Sequence, residues 1–119
     1  MMVFRFVDLM DEETRPPVMV RANLRLLRTD EGGRVSSGVL SGYSPNHNFG
    51  GPENREFYVG QINFDFEGFL ELGDSREVLV RFISGPGLRE NLQVGRTWRI
   101  QEGGKLVGEA TVLEVLDET

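Results

Sequence analysis

Wherever the hydrophobic pattern of this chain can be read, it repeats every second residue rather than every third or fourth. Val18, Val20, Ala22, Leu24 and Leu26 alternate with Met19, Arg21, Asn23, Arg25 and Leu27. That pattern predicts a strand with one face on a core and the other toward water. Ile62, Phe64, Phe66, Leu70 and Leu72 share one parity against Gln61, Asn63, Asp65 and Glu67, and Gly68 and Phe69 disturb the order as a β-bulge does. Val78, Val80 and Phe82 repeat it, Trp98 and Ile100 are expected to point inward from a short strand, and Leu106 to Leu116 reads as a long final strand. Nothing demands a helix.

Glycine and proline punctuate these strands. Pro16-Pro17, Gly32-Gly33, Gly50-Gly51-Pro52, Gly85-Pro86-Gly87 and Gly103-Gly104 each fall where a turn is needed. Five or six strands joined in this way predict an all-β barrel or sandwich. Gly103-Gly104 stands between Glu102 and Lys105, as in a tight hairpin with positive φ at both centres, and Glu102 and Lys105 are placed to pair by charge across it. A second glycine turn, Asp30-Glu31-Gly32-Gly33-Arg34, leads into another strand-like stretch. The segment from Gly42 to Arg55 is polar, rich in glycine and longer than a connection requires, which makes it the candidate binding loop.

Composition narrows the function classes. The 119 residues suit one domain, and the absence of cysteine removes disulfides, thiolate metal sites and cysteine nucleophiles. A formal net charge of −6, with Lys105 the only lysine, opposes a broad electrostatic grip on nucleic acid. Residues 1–10 carry Arg5 and Asp8 where a signal peptide needs an unbroken apolar run, and no stretch is long and apolar enough to span a bilayer. A cytoplasmic protein with no membrane partner is expected.

The two glycine turns, Gly42-Tyr43-Ser44-Pro45 between them and Leu106-Val107-Gly108-Glu109-Ala110 behind them stand in an order and spacing that resemble the third, C-terminal domain of bacterial translation elongation factor Tu. The resemblance runs from about Val20 to Leu116 and includes Phe49, Gly60, the Gly85-to-Leu88 region, Gly95, Trp98 and Ile100. It implies a single domain, a six-stranded antiparallel Greek-key β-barrel over residues 1–119; residues 1–17 have no counterpart in the family and are read from their own sequence as an extension, with Met2 to Leu9 a candidate extra strand and Asp11-Glu12-Glu13 a solvated turn. It also implies a domain that binds rather than catalyses. The family's domain packs on the GTPase domain, touches the exchange factor, and grips the T stem of tRNA through the long loop and the glycine hairpin.

This chain has no phosphate-binding Gly-x-x-x-x-Gly-Lys-Ser/Thr loop, so a GTPase and a nucleotide cofactor are not expected. Carried over residue by residue, the binding surface comprises Tyr43, Asn46, His47, Arg55, Gln101, Glu102, Gly103, Gly104 and Lys105. Ser44 and Gln101 stand where the family has arginine, a loss of two cationic side chains that weakens any hold on RNA phosphate. Asn46, Glu102 and the Gly103 backbone retain groups able to hydrogen-bond a ribose.

The expectation is therefore a non-catalytic protein-interaction module, either a competitor for translation-factor contacts or a dock for a cognate protein. The alternative is a small RNA-binding protein that contacts a tRNA-like stem through the 42–55 loop and the 102–105 hairpin. An arginine cluster of Arg21, Arg25, Arg28 and Arg55 would favour the alternative. His47, the only histidine, reads as a polar loop side chain rather than a metal ligand or catalytic base. Trp98 reads as core, the outward Asp65 and Glu67 as solvated, and Ser36-Ser37 as lacking a matching base. The Phe57-Tyr58 region is a second candidate for exposed apolar contact.

Overall fold

The computed structural model describes residues 17–35 and 37–116. The expected strand over Met2 to Leu9, the Asp11-Glu12-Glu13 turn and Ser36 lie outside the described residues. Six strands close into an antiparallel barrel: β1 (Val18–Leu26), β2 (Asn46–Asn48), β3 (Tyr58–Asn63), β4 (Ser75–Phe82), β5 (Thr97–Glu102) and β6 (Lys105–Leu116), in the spatial order β1-β4-β3-β2-β5-β6 with β6 pairing back onto β1. Three consecutive strands, β2, β3 and β4, lie side by side with β1 beyond β4, which is a Greek-key arrangement.

Alternation on β1 gives a strict in-out burial pattern, and every inward residue from Val18 to Leu26 is buried. These side chains meet Val78, Val80 and Phe82 of β4, Ile62 of β3, Trp98 and Ile100 of β5, and Val107, Ala110 and Val112 of β6. Each large aliphatic side chain so removed from water contributes about 1.5–3 kcal/mol. One end of the core is aromatic. Phe49 stacks on Trp98 with centroids 4.9 Å apart, and Phe82 lies 5.8 Å from Trp98.

Four readings of the sequence require correction. The segment from Gly42 to Arg55 is not a single loop, because Asn46–Asn48 is a barrel strand between β3 and β5. The strand expected to run through Phe64, Phe66, Leu70 and Leu72 ends at Asn63. Beyond it Leu70 makes only an isolated bridge to Val39, while Phe64 and Phe66 stack at 4.5 Å on the outside of the core. The register shifts fall at Arg21/Ala22 and Ile100/Gln101 rather than at Gly68-Phe69. Finally, the first glycine turn follows a short 3-10 turn, Thr29–Glu31, and leads to the Val39 bridge rather than to a strand. A single helical turn, Leu88–Asn91, follows Gly85-Pro86-Gly87. Among the described residues no helix is long and apolar enough to cross a membrane.

Candidate binding site

The register places both glycine turns at one end of the barrel. β1 ends there at Leu26 opposite Gly108, and the β5–β6 hairpin turns there between Glu102 and Lys105. Gly103 has φ of 61°, while Gly104 is not in the left-handed region, so the turn has positive φ at its first centre only and corresponds to type II′ rather than the expected doubly positive form.

Around this turn the long segment and the hairpin meet. Gly42 donates its backbone N–H to Ile62 O at 2.8 Å, and Ile62 donates to Tyr43 O at 2.7 Å, which fixes Tyr43 beside β3. From there the Tyr43 hydroxyl donates to Glu102 Oε2 at 2.5 Å. Arg34, on the first glycine turn, donates to the same carboxylate oxygen, donates through Nε to Ser37 O at 3.0 Å, and lies 5.8 Å from the Tyr43 ring centroid. Burial, reinforced by the hydrogen bond to Glu102, pushes the Tyr43 phenol up, so it remains a donor at neutral pH. The expected Glu102–Lys105 pairing is not what forms: the two are register partners, but the Glu102 carboxylate is ion-paired with Arg34. Asn46 Nδ2 donates to Gly103 O at 3.3 Å and ties β2 to the turn.

Of the residues carried over as a binding surface, Tyr43, Asn46, Glu102, Gly103, Gly104 and Lys105 are thus gathered at one end. Arg55 is not among them. β2 runs away from the hairpin, and Arg55 sits in the turn between β2 and β3 at the other end, donating to Pro52 O at 3.2 Å. His47 and Gln101 are buried inside the wall. The reading of His47 as a polar loop side chain is therefore corrected: its Nδ1 accepts from Trp98 Nε1 at 3.0 Å, which leaves Nε2 to donate to Gly60 O at 2.9 Å. Burial lowers its pKa to about 4, so the ring is neutral and both nitrogens are occupied. Gly60 makes room for it, since a Cβ there would stand 3.0 Å from both His47 Nε2 and Phe82. Gln101 Oε1 accepts from Asn48 Nδ2 at 2.7 Å and from Arg99 Nε at 2.9 Å.

No protein-family model matches the chain. Its surface is therefore described by its own chemistry. Beside Arg34 and Tyr43 runs a shallow groove of about 380 Å³ that includes Leu40 and Phe69. Leu40 is 54% exposed, Phe69 47% and neighbouring Val35 77%. Sequence reasoning did not select these residues, although Phe69 breaks the parity of its neighbours. Of the arginines whose clustering would favour the RNA alternative, Arg21 pairs with Glu77 and Glu114, Arg25 with Glu31, and Arg28 with Asp30. Among the described residues no three His, Cys, Asp or Glu side chains are placed to hold a metal ion. The arrangement supplies apolar contact, fixed hydrogen-bond donors and acceptors, and balanced charge.

Proposed function

We propose that this chain is a non-catalytic, cytoplasmic binding module that docks a protein partner through the hairpin end of its barrel. The observation that carries the reading is the juxtaposition of exposed Val35, Leu40 and Phe69 with the Arg34–Tyr43–Glu102 cluster. An apolar patch rimmed by pre-oriented polar groups has the make-up of a protein interface, whereas nucleic-acid surfaces are strongly basic. Neutralisation of Arg21, Arg25, Arg28 and Arg34 by carboxylates supports the same choice over a tRNA-like stem. The resemblance to the third domain of elongation factor Tu fits a module that either competes for that factor's partners or receives a cognate protein of its own.

The test is capture from a native lysate by tagged wild-type chain and by Phe69→Asp, each with and without ribonuclease. A protein retained by the wild type after ribonuclease, and lost with Phe69→Asp, is the expected result. Retention of RNA alone, declining as salt rises, would replace this reading with RNA binding.

A further inference from the structure

β4 is longer than one of the strands beside it. All eight of its residues pair with β1, from Val18↔Phe82 to Arg25↔Ser75, but on the other side β3 ends at the Asn63↔Leu79 pair. Backbone polar groups along a strand point alternately to its two neighbours. The Ile83 N–H bonds Val59 O on the β3 side, so Leu79, Glu77 and Ser75 direct their N–H and C=O the same way. Among the described residues, Glu77 and Ser75 meet no backbone partner there.

The register explains why β3 stops. Two residues further, it would set Asp65 directly opposite Glu77, and like charges in that position destabilise a ladder. Instead the Phe64 N–H bonds Ser41 Oγ at 2.9 Å, and the chain leaves β4. The wedge so opened is a groove of about 670 Å³ between residues 76–79 of β4 and residues 64–66. It shares no lining residue with the groove beside Arg34 and Tyr43, and its chemistry is independent of the docking reading given above.

The two sides of the wedge differ. On the outward parity of β4 stand Glu77 and the 39% exposed Leu79. Arg21 is already divided between Glu77 and Glu114, and Asp65 forms no ion pair among the described residues, so this side is short of positive charge. On the inward parity Val78 is buried, while the Arg76 guanidinium lies 4.5 Å from the centroid of the Phe66 ring, which stacks on Phe64.

We propose that this edge takes an extended segment of a partner protein as an added strand, antiparallel to β4 and in line with β3. The segment carries a lysine or arginine opposite Glu77, and the apolar residues on either side of it lie against Val78 and the Phe64–Phe66 stack. Main-chain hydrogen bonds to Glu77 and Ser75 hold it, and the alternating side chains select it. A second copy of this chain fits less well, because antiparallel pairing of two such edges sets Glu77 or Arg76 opposite its own counterpart.

The probe is a blocked peptide, acetyl-Thr-Val-Lys-Val-Thr-amide, titrated to millimolar concentration into isotope-enriched full chain. In the free chain the Glu77 amide exchanges with deuterium far faster than the Val80 amide, which faces β1. Added peptide shifts the Ser75, Glu77 and Leu79 amides and slows exchange at Glu77. Glutamate in place of the peptide lysine weakens binding about fivefold or more, and Glu77→Lys in the protein reverses the preference. Methylation of the lysine main-chain nitrogen abolishes binding. The peptide exchanges keep the test independent of how the fold tolerates the protein variant. Equal affinity for the two peptides, no shift at millimolar peptide, shifts centred on Leu40 and Phe69, or a Glu77 amide already protected in the free chain overturns the proposal. So does protection that grows with protein concentration, which would identify a second copy as the occupant.

Discussion

At His47 the barrel holds a neutral imidazole that receives the Trp98 indole N–H and donates to the Gly60 carbonyl, facing Phe82 on its third side. Protonation would put two donors, His47 Nδ1–H and Trp98 Nε1–H, face to face in a desolvated site. The folded pKa of about 4 lies below the ordinary 6.5. Between those values the unfolded chain takes up a proton that the folded chain refuses, so stability is full above about pH 6.5 and falls as pH drops toward 4. That lowering corresponds to roughly 3 kcal/mol of stability. Urea midpoints measured between about pH 5 and pH 7, above most carboxylate titration, should rise with pH in the wild type and be flatter in His47→Gln. Equal slopes would show that the histidine titrates normally in the fold.

Two glycines separate conformational strain from steric exclusion. A Cβ on Gly103 meets nothing within 4 Å, but φ is 61°, so Gly103→Val should cost about 1–2 kcal/mol through left-handed strain alone. Gly38 has no such φ, yet its Cβ would stand 1.8 Å from Leu70 O and displace the Val39–Leu70 bridge. Gly38→Ala is expected to lower the thermal midpoint more than Gly103→Val does, even though alanine is the smaller substitution.

At the scale of elements β1 holds the barrel shut, since it pairs with β4 on one side and β6 on the other. Leu24→Ala should destabilise by about 2–5 kcal/mol, whereas Arg25→Ala, which breaks only an exposed pair with Glu31, should cost about 1 kcal/mol or less. Denaturant midpoints of the two variants check that ranking. β1 was legible in the sequence because its burial alternates with its chemistry. β2 was not, because Asn46-His47-Asn48 is polar throughout and yet mostly buried. Its side chains are accommodated by bonds to Trp98, Gln101 and the backbone, partners that arrive from residues about fifty positions away.

The converse error occurred at Phe64 to Leu72, where a strand-like parity belongs to Phe64, Phe66 and Leu72, packed against the core from outside, and to Leu70 buried within it, with no long strand between them. Tyr43 and Asn46, at the start of the 42–55 segment, do meet the hairpin, while Arg55 lies at the other end. Withdrawal of His47 and Gln101 into the wall was not legible, because both residue types serve equally well as surface contacts or as satisfied interior groups.

Across the whole molecule, the question is what a net charge of −6 does to a chain that still carries twelve arginines and one lysine. Several of the arginines are engaged: Arg21 by two glutamates, and Arg25, Arg28 and Arg34 by one carboxylate each. For RNA to recruit these guanidinium groups, each must first leave its carboxylate, and the released carboxylates then face the phosphates. Attraction is thereby reduced twice, once through the lost cation and once through the exposed anion. Fluorescence anisotropy with tRNA should accordingly show little or no binding at about 0.15 M salt, and only a weak complex at low salt that dissolves as salt is added. Tight binding at physiological salt would require the arginines to be exchanged out of their ion pairs as a group. A variant such as Glu77→Gln, which frees one of the two partners of Arg21, would then strengthen the complex further; in the reading advanced here it leaves protein capture through Phe69 unchanged.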